Sequence, residues 1–183
     1  MNNPLKILRT LDSHLTKPAE LSIFGRAALA LGFPNSPPEF EATHDVDAIM
    51  PIDHSEPNED FWLAQQATNV ELESHQLYIT HLFSEMDVIL RPSWKEHRML
   101  LDLALQRLVV YRPAAIDLIL TKMARGDGDD LRDIQFILRQ EKASPEVMTR
   151  AFTEARVPRV PEIEELFRAA QPKVLELASQ LGT

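Results

Sequence analysis

The chain has 183 residues, of which 44% are hydrophobic, enough to bury a core as one domain or as one domain with a helical extension. It contains no cysteine, which excludes disulfides and thiolate metal sites, and its formal net charge of −9 argues against broad, nonspecific binding of duplex DNA. The N-terminal segment lacks the apolar run of a targeting peptide, and no stretch approaches the ~20 apolar residues of a membrane span. We therefore expect a soluble, cytoplasmic protein without a membrane partner.

The N-terminal half begins with a helix and then alternates strands and helices. Leucines at three- and four-residue spacing predict a helix over residues 3–15. The run AELSIFG predicts a short strand that stops at Gly25, and RAALALG predicts the helix that follows. After a proline-rich loop, the period-two pattern of ATHDVDAIMPI predicts a second strand. Asn58 is the predicted N-cap of a helix that begins at Glu59.

Three further apolar runs lead into a helical half. LYITHLF and MDVILRP, separated by two polar residues, are candidates for a hairpin, and RLVVY predicts a last strand before Arg112. Pro113 suits the first turn of the helix AAIDLILTKMAR, and the GDGDD segment ends that helix. Further helices are predicted from DLRDIQFILRQ, from Ser144 and from Pro161. The predicted fold class is α+β, with a small mixed β-sheet and flanking helices in residues 1–112 and a helical half in residues 113–183.

Asp45 and Asp47 are the first candidates for chemistry. Residues i and i+2 of a strand point to the same face, so both carboxylates reach into one volume. Like charges held this close repel unless a cation lies between them, and Mg²⁺ takes one or two carboxylates together with substrate phosphates. An Asp-x-Asp pair is also typical of a solvated strand face. The apolar run from Ala48 to Met50 favours the end of a buried strand instead.

Gly25 is the second candidate, because it stands between a predicted strand and a predicted helix. Such a turn brings free backbone N–H groups and the positive end of the helix close to an anion, and glycine permits the close approach of a phosphate. A single glycine in this position is most often only a turn. The combination with a downstream Asp-x-Asp strand indicates more than either feature alone.

The strand, the glycine turn, the helix and then Thr43-x-Asp45-x-Asp47 resemble the minimal nucleotidyltransferase superfamily, and most closely the AbiEii-type abortive-infection toxins and related bacterial nucleotidyltransferases. Over roughly residues 20–138, Gly25 matches the first glycine of the family's turn and Thr43 matches its threonine. Asp45 and Asp47 match its metal ligands. The resemblance implies a sheet of the nucleotidyltransferase type in residues 1–112.

Two later residues also match the family pattern. Asp87 corresponds to a third carboxylate on a later strand, which completes the implied catalytic and metal-binding set with Asp45 and Asp47. Lys122 corresponds to a lysine that lies eight residues before a D-L-x-D helix, where its ammonium would approach the phosphates. The implied nucleotide-binding residues are Gly25, Arg26, Thr43 and Lys122. Asp130 and Asp133 are interpreted as structural partners of Lys122 or Arg125, and a solvated Lys122 should contribute little to the fold.

The resemblance implies transfer of a nucleoside monophosphate from a nucleoside triphosphate to a hydroxyl of a protein, an RNA or a small molecule. Mg²⁺ or Mn²⁺ is the implied cofactor. Lys122 would contact the triphosphate, and Asp87 would help to activate the attacking hydroxyl. The family context further implies a toxin or phage-defence component, with an antitoxin protein as a partner.

A second hypothesis is a catalytically degenerate nucleotidyltransferase fold that acts as a binding or regulatory module. It is favoured by three departures from the family pattern. Arg26 stands where a second glycine is usual, Ala27 stands where a serine or threonine would bind phosphate, and Glu41 stands where an arginine is usual. The intact set of three aspartates favours the enzyme. Neither the acceptor nor the base of the nucleotide is encoded in a readable motif.

Overall fold

A computed structural model describes residues 2–50 and 59–180 of the chain, and it confirms a mixed α+β fold. The helices within these ranges are α1 (Asn3–His14), α2 (Gly25–Gly32), α3 (Pro38–Glu41), α4 (Glu59–Leu72), α5 (Ala115–Lys122), α6 (Gly128–Glu141), α7 (Pro145–Glu154) and α8 (Pro161–Gln180). The strands are β1 (Ala19–Phe24), β2 (Asp45–Met50), β3 (Tyr78–Ser84), β4 (Met99–Leu101) and β5 (Leu108–Arg112). Among the described residues, no helix combines the length and apolar character that a membrane crossing requires.

The strands form one mixed sheet in the order β3-β2-β1-β5-β4. β1 runs antiparallel to β2 and parallel to β5, while β2 runs parallel to β3 and β4 runs antiparallel to β5. In the central pair, Phe24 at the end of β1 lies opposite Asp47 of β2. The first two residues of β2 therefore extend beyond the end of β1, where the chain turns into α2.

Alternation along the strands directs successive side chains to the two faces of the sheet. The core face carries Leu21, Ile23, Val46, Ala48 and Val110, each at most 1% exposed. The C-terminal end of helix α2 packs closely on this face. A Cβ added to Gly32, the last residue of α2, would lie 2.3 Å from the side chain of Arg112 and 3.4 Å from that of Leu101. The opposite face, which carries Phe24 and Asp47, is called the distal face below.

A buried carboxylate ties helix α1 to the segment that enters β5. Asp12 is 8% exposed and accepts hydrogen bonds from the backbone N–H groups of Gln106, Arg107 and Leu108, at 2.9, 2.7 and 2.7 Å. Burial by itself raises the pKa of Asp12, but the three backbone donors and the charge of Arg107 outweigh it, and the net pKa is lowered. The folded state therefore stabilises the ionised form of this carboxyl.

We expect Asp12→Asn to lower the free energy of unfolding at pH 7 by about 1–3 kcal/mol, because buried donors lose a charged acceptor. Since the folded pKa of Asp12 is lowered, the contribution of its carboxylate is present above the unfolded pKa of about 3.9 and is lost as the pH falls through the folded value. Urea unfolding of both proteins between pH 7 and pH 2 should show their difference shrinking below about pH 4. A difference that stays constant down to pH 2 would contradict this assignment.

The described chain contains two compact units. The sheet unit comprises Met1–Ser84 and Met99–Arg112, and the helical unit comprises Glu85–Arg98 and Pro113–Thr183. In the helical unit, α5 packs on α6 and α7, and α8 packs on α6 and α7. The segment 85–98 belongs to this unit because Arg91 binds Asp117 of α5, and because Leu90 and Arg156 form an isolated β-bridge.

Most predicted elements are confirmed, but one predicted strand is wrong, one strand was missed, and the predicted proline-rich loop contains the short helix α3. MDVILRP does not form a strand: β3 ends at Ser84, and the residues that follow form a turn, a bend and the single bridge at Leu90. The short edge strand β4 was not predicted. Its three residues are too few to display a period-two pattern, and two of them, Met99 and Leu100, are exposed. The predicted N-cap Asn58 lies outside the described residues.

Candidate metal and nucleotide site

The turn from β1 into α2 requires glycine. Gly25 has φ +66°, a left-handed conformation that L-residues with a side chain rarely adopt. A Cβ built on Gly25 would lie 3.6 Å from Oδ2 of Asp47, so the backbone of the turn passes directly beside this carboxylate. The N-cap residue of α2 is Phe24, which has no side-chain oxygen to cap the helix. The turn therefore brings the positive end of a helix next to Asp47.

We expect Gly25→Ala to lower the free energy of unfolding by about 1–2 kcal/mol, the cost of holding an L-residue in the left-handed region. The added methyl would be in ordinary van der Waals contact with Asp47, so the loss should come from the backbone and not from a clash. Gly128→Ala is the matched control, because no heavy atom lies within 4 Å of a Cβ built there. Equal stability of Gly25→Ala and the wild type in urea unfolding would show that alanine at this position causes no backbone strain.

Asp45 and Asp47 occupy the first and third positions of β2, and both are half-buried, whereas Val46 between them is fully buried. This alternation confirms the predicted strand and puts both aspartates on the distal face. Thr43 donates a hydrogen bond from Oγ1 to Oδ1 of Asp45 at 2.9 Å. The threonine of the motif thus orients the first carboxylate.

The pairing of β2 with β3 is irregular at the two aspartates. Asp45 pairs with Tyr78 and Asp47 pairs with His81, so one intervening residue of β2 lies opposite two intervening residues of β3. Bulges of this kind interrupt a ladder and change the direction of nearby side chains, and they are frequent beside functional sites. The irregularity lies in β3, which leaves the alternation of Asp45 and Asp47 in β2 undisturbed.

The donor set suits a hard divalent cation that shares its coordination with a ligand. Within residues 2–50 and 59–180, no three His, Asp or Glu side chains come together as a group that could hold a metal. Two carboxylates on one strand are the number that Mg²⁺ commonly takes when substrate phosphates supply further oxygens. Asp45 and Asp47 fit such a shared site.

Arg26, the next residue after the glycine turn, is half-buried on the first turn of α2. Its guanidinium carbon lies 5.9 Å from the centre of the Phe40 ring, within the range of a cation–π contact. The charge is therefore held at the same end of the sheet as Asp47, and its role in nucleotide binding stays a prediction.

The structure gives Asp87 a different setting from the predicted one. The prediction that it stands on a strand is wrong, because Asp87 lies in the bend after β3 and its side chain is exposed. Strand β3 ends at Ser84, before the polar residue Glu85. Asp87 belongs to the helical unit. Its role as a third metal ligand stays a prediction.

Lys122 is buried and bound to carboxylates. It ends α5 with 7% exposure, and its Nζ lies 2.6 Å from Asp133 Oδ2 and 3.4 Å from Asp130 Oδ1. Arg125 binds the same Asp130 through two hydrogen bonds of 3.0 Å. The predicted pairing of these residues is confirmed, whereas the expectation of a solvated lysine is wrong. Contact between Lys122 and a nucleotide stays a prediction.

Sequence reasoning did not single out the aromatic residues beside Asp47. Phe24 stands opposite Asp47 in the sheet, and its ring centre lies 5.4 Å from that of Phe83 on β3. The signal was the position of Phe24 directly before the glycine turn, but its partner could be known only from the order of the strands. Comparisons of the chain with protein families, with curated proteins and with solved structures find no match.

Proposed function

We propose that the chain is a metal-dependent nucleotidyltransferase of the AbiEii type, which transfers a nucleoside monophosphate from a nucleoside triphosphate to a hydroxyl. The observation that carries the proposal is the closeness of the glycine turn to Asp47, whose Oδ2 would lie 3.6 Å from a Cβ built on Gly25. A carboxylate and a helix N-terminus attract opposite charges. Side by side, they suit a ligand that joins a cation to phosphates.

Different groups of the site would bind the cation and the phosphates of such a ligand. Asp45 and Asp47 would hold Mg²⁺ or Mn²⁺, which supplies neutralisation of phosphate charge when bound. Thr43 keeps Asp45 in position through its hydrogen bond of 2.9 Å. The first turn of α2 offers backbone N–H groups and a positive dipole end to the phosphates, and Arg26 adds a full positive charge there.

The proposed reaction exchanges a phosphoanhydride bond of the triphosphate for a phosphoester bond to the acceptor. The acceptor oxygen forms a bond to the α-phosphorus, while the bond from that phosphorus to the oxygen bridging to the β-phosphate breaks. Pyrophosphate leaves with the electron pair of the broken bond, and the proton of the acceptor hydroxyl passes to water. The catalytic contribution of the protein is positioning and electrostatic stabilisation of the charge that develops on the phosphates.

A binding or regulatory module is the second candidate, and two observations favour it. Lys122 is held by Asp130 and Asp133 instead of facing solvent, and Asp87 is exposed beyond the end of β3. In this alternative, the glycine turn, Asp45 and Asp47 would still bind a charged ligand. An antitoxin protein would be the partner, and it would bind the form of the chain that carries the ligand.

Label transfer tests the proposal directly. The protein is incubated with Mg²⁺ or Mn²⁺, a cell extract as acceptor source, and triphosphates labelled at either the α- or the γ-phosphorus. The proposal expects label on an acceptor only from the α-position, and a loss of about 100-fold or more in Asp45→Asn/Asp47→Asn. Asp102→Asn, which removes an exposed carboxylate of the same unit, should retain the activity. Transfer of γ-label, or equal transfer by the double variant, would contradict it.

A further inference from the structure

Two phenylalanine rings meet on the distal face of the sheet. The ring centres of Phe24 and Phe83 are 5.4 Å apart with an interplanar angle of 72°, the edge-to-face arrangement that aromatic pairs prefer. Phe24 belongs to β1 and Phe83 to β3, and β2 lies between these strands. The two rings therefore reach toward each other across β2.

The ring pair lies beside the carboxylates on the same face. Phe24 is directly opposite Asp47 in the antiparallel pair, and residues in such positions have Cβ atoms about 4.5–5.5 Å apart on one face. Phe83 pairs with Ile49, which stands two residues after Asp47 and is fully buried. The rings thus continue the surface that begins with Asp45 and Asp47.

Both rings are half-buried, whereas Ile49 on the same face is fully buried. Aromatic rings that stay partly accessible beside a charged site are suited to stacking against another flat, apolar group. Nucleobases are such groups, and stacking on aromatic side chains is tolerant of base identity because every base has a π-face. A base on this surface would have its phosphates directed toward a cation at the carboxylates.

We propose that Phe24 and Phe83 form an aromatic platform that binds a nucleobase beside Asp47. The inference rests on the proposed function and deepens it, because it adds recognition of the base to the recognition of the phosphates. The base belongs either to the donor triphosphate or to a nucleic-acid acceptor, and the same stacking chemistry serves both. The platform distinguishes nucleotides from phosphate compounds that lack a base.

Calorimetric titration with three probes separates the contributions. The probes are ATP with Mg²⁺, inorganic tripolyphosphate with Mg²⁺, and a single-stranded oligonucleotide without a triphosphate. The proteins are the wild type, Phe24→Leu and Phe83→Leu, with thermal melts to establish that each variant is folded. Phe152→Leu is the matched control, because Phe152 forms an edge-to-face pair with Phe167 in the helical unit, at 6.0 Å and 88°.

We expect the Phe83→Leu variant to bind ATP about tenfold more weakly, the effect of losing one stacking contact, and to bind tripolyphosphate as the wild type does. Weaker binding of the oligonucleotide alone would assign the platform to the base of the acceptor. Unchanged binding of both ATP and the oligonucleotide in both platform variants would overturn the platform and leave the proposed function standing. Absence of wild-type binding to ATP and to tripolyphosphate would overturn the proposed function, and the platform with it.

Discussion

Lys122→Met should lower the free energy of unfolding by about 3–5 kcal/mol, the range measured when one partner of a buried ion pair is removed. Asp130 and Asp133 are each 2% exposed, and their carboxylates lie within 3.4 and 2.6 Å of the Lys122 ammonium. Methionine keeps the side-chain length and removes the charge. The variant therefore leaves two negative charges inside the helical unit with one cation fewer.

Urea unfolding followed by circular dichroism at pH 7 measures this loss, with Lys173→Met as the control because Lys173 is an exposed lysine of α8. Asp133→Asn combined with Lys122→Met should restore part of the stability, since it removes one of the buried charges that Lys122 compensates. A loss below about 1 kcal/mol, typical of a surface pair, would show that the lysine is solvated.

Arg91→Met should produce a loss of similar size, about 3–5 kcal/mol, for the same physical reason. Asp117 is fully buried on α5 and accepts hydrogen bonds from the backbone N, Nε and Nη2 of Arg91, at 3.0, 3.1 and 2.8 Å. The hydrogen bonds to Asp117 raise the pKa of Arg91 further above its ordinary value. The substitution removes two of these three donors and the only charge among them.

The same unfolding experiment applies, and Arg139→Met is its control because Arg139 is exposed on α6. The Arg91–Asp117 pair also joins segment 85–98 to α5, so Arg91→Met should increase amide hydrogen exchange in residues 85–98 relative to the wild type. Unchanged exchange in this segment would show that other contacts hold it to the helical unit.

Local patterns were sufficient to predict most of the fold. The period-two run of β2, the leucine spacing of α1 and the start of α7 after Ser144 are encoded within a few residues, and the structure confirms all three. The MDVILRP run failed because apolar residues alone do not distinguish a strand from a buried irregular segment. Val88, Ile89 and Leu90 are indeed buried, but they belong to the helical unit and not to the sheet.

For the candidate site as well, local features could be predicted from sequence, whereas contacts that depend on helix packing could not. Gly25 and Asp47 could be connected from sequence, because a strand that ends in glycine and a following Asp-x-Asp strand are local signals. The 3.6 Å between Asp47 Oδ2 and a Cβ built on Gly25 agrees with that connection. The burial of Lys122 could not be predicted from sequence, since a lysine near the end of a helix is usually solvated. Its burial depends on how α5 and α6 pack, which brings Asp130 and Asp133 to its ammonium.

The response of thermal stability to divalent cations tests the central claim, that Asp45 and Asp47 form a cation site, most directly. A cation that binds only the folded state stabilises it, by about 2.7 kcal/mol at a concentration 100 times its Kd. The wild type should therefore melt several degrees higher in millimolar Mg²⁺ or Mn²⁺. Asp45→Asn/Asp47→Asn, which removes both carboxylates, should show no response to metal. Equal metal responses in the wild type and the double variant would contradict the site.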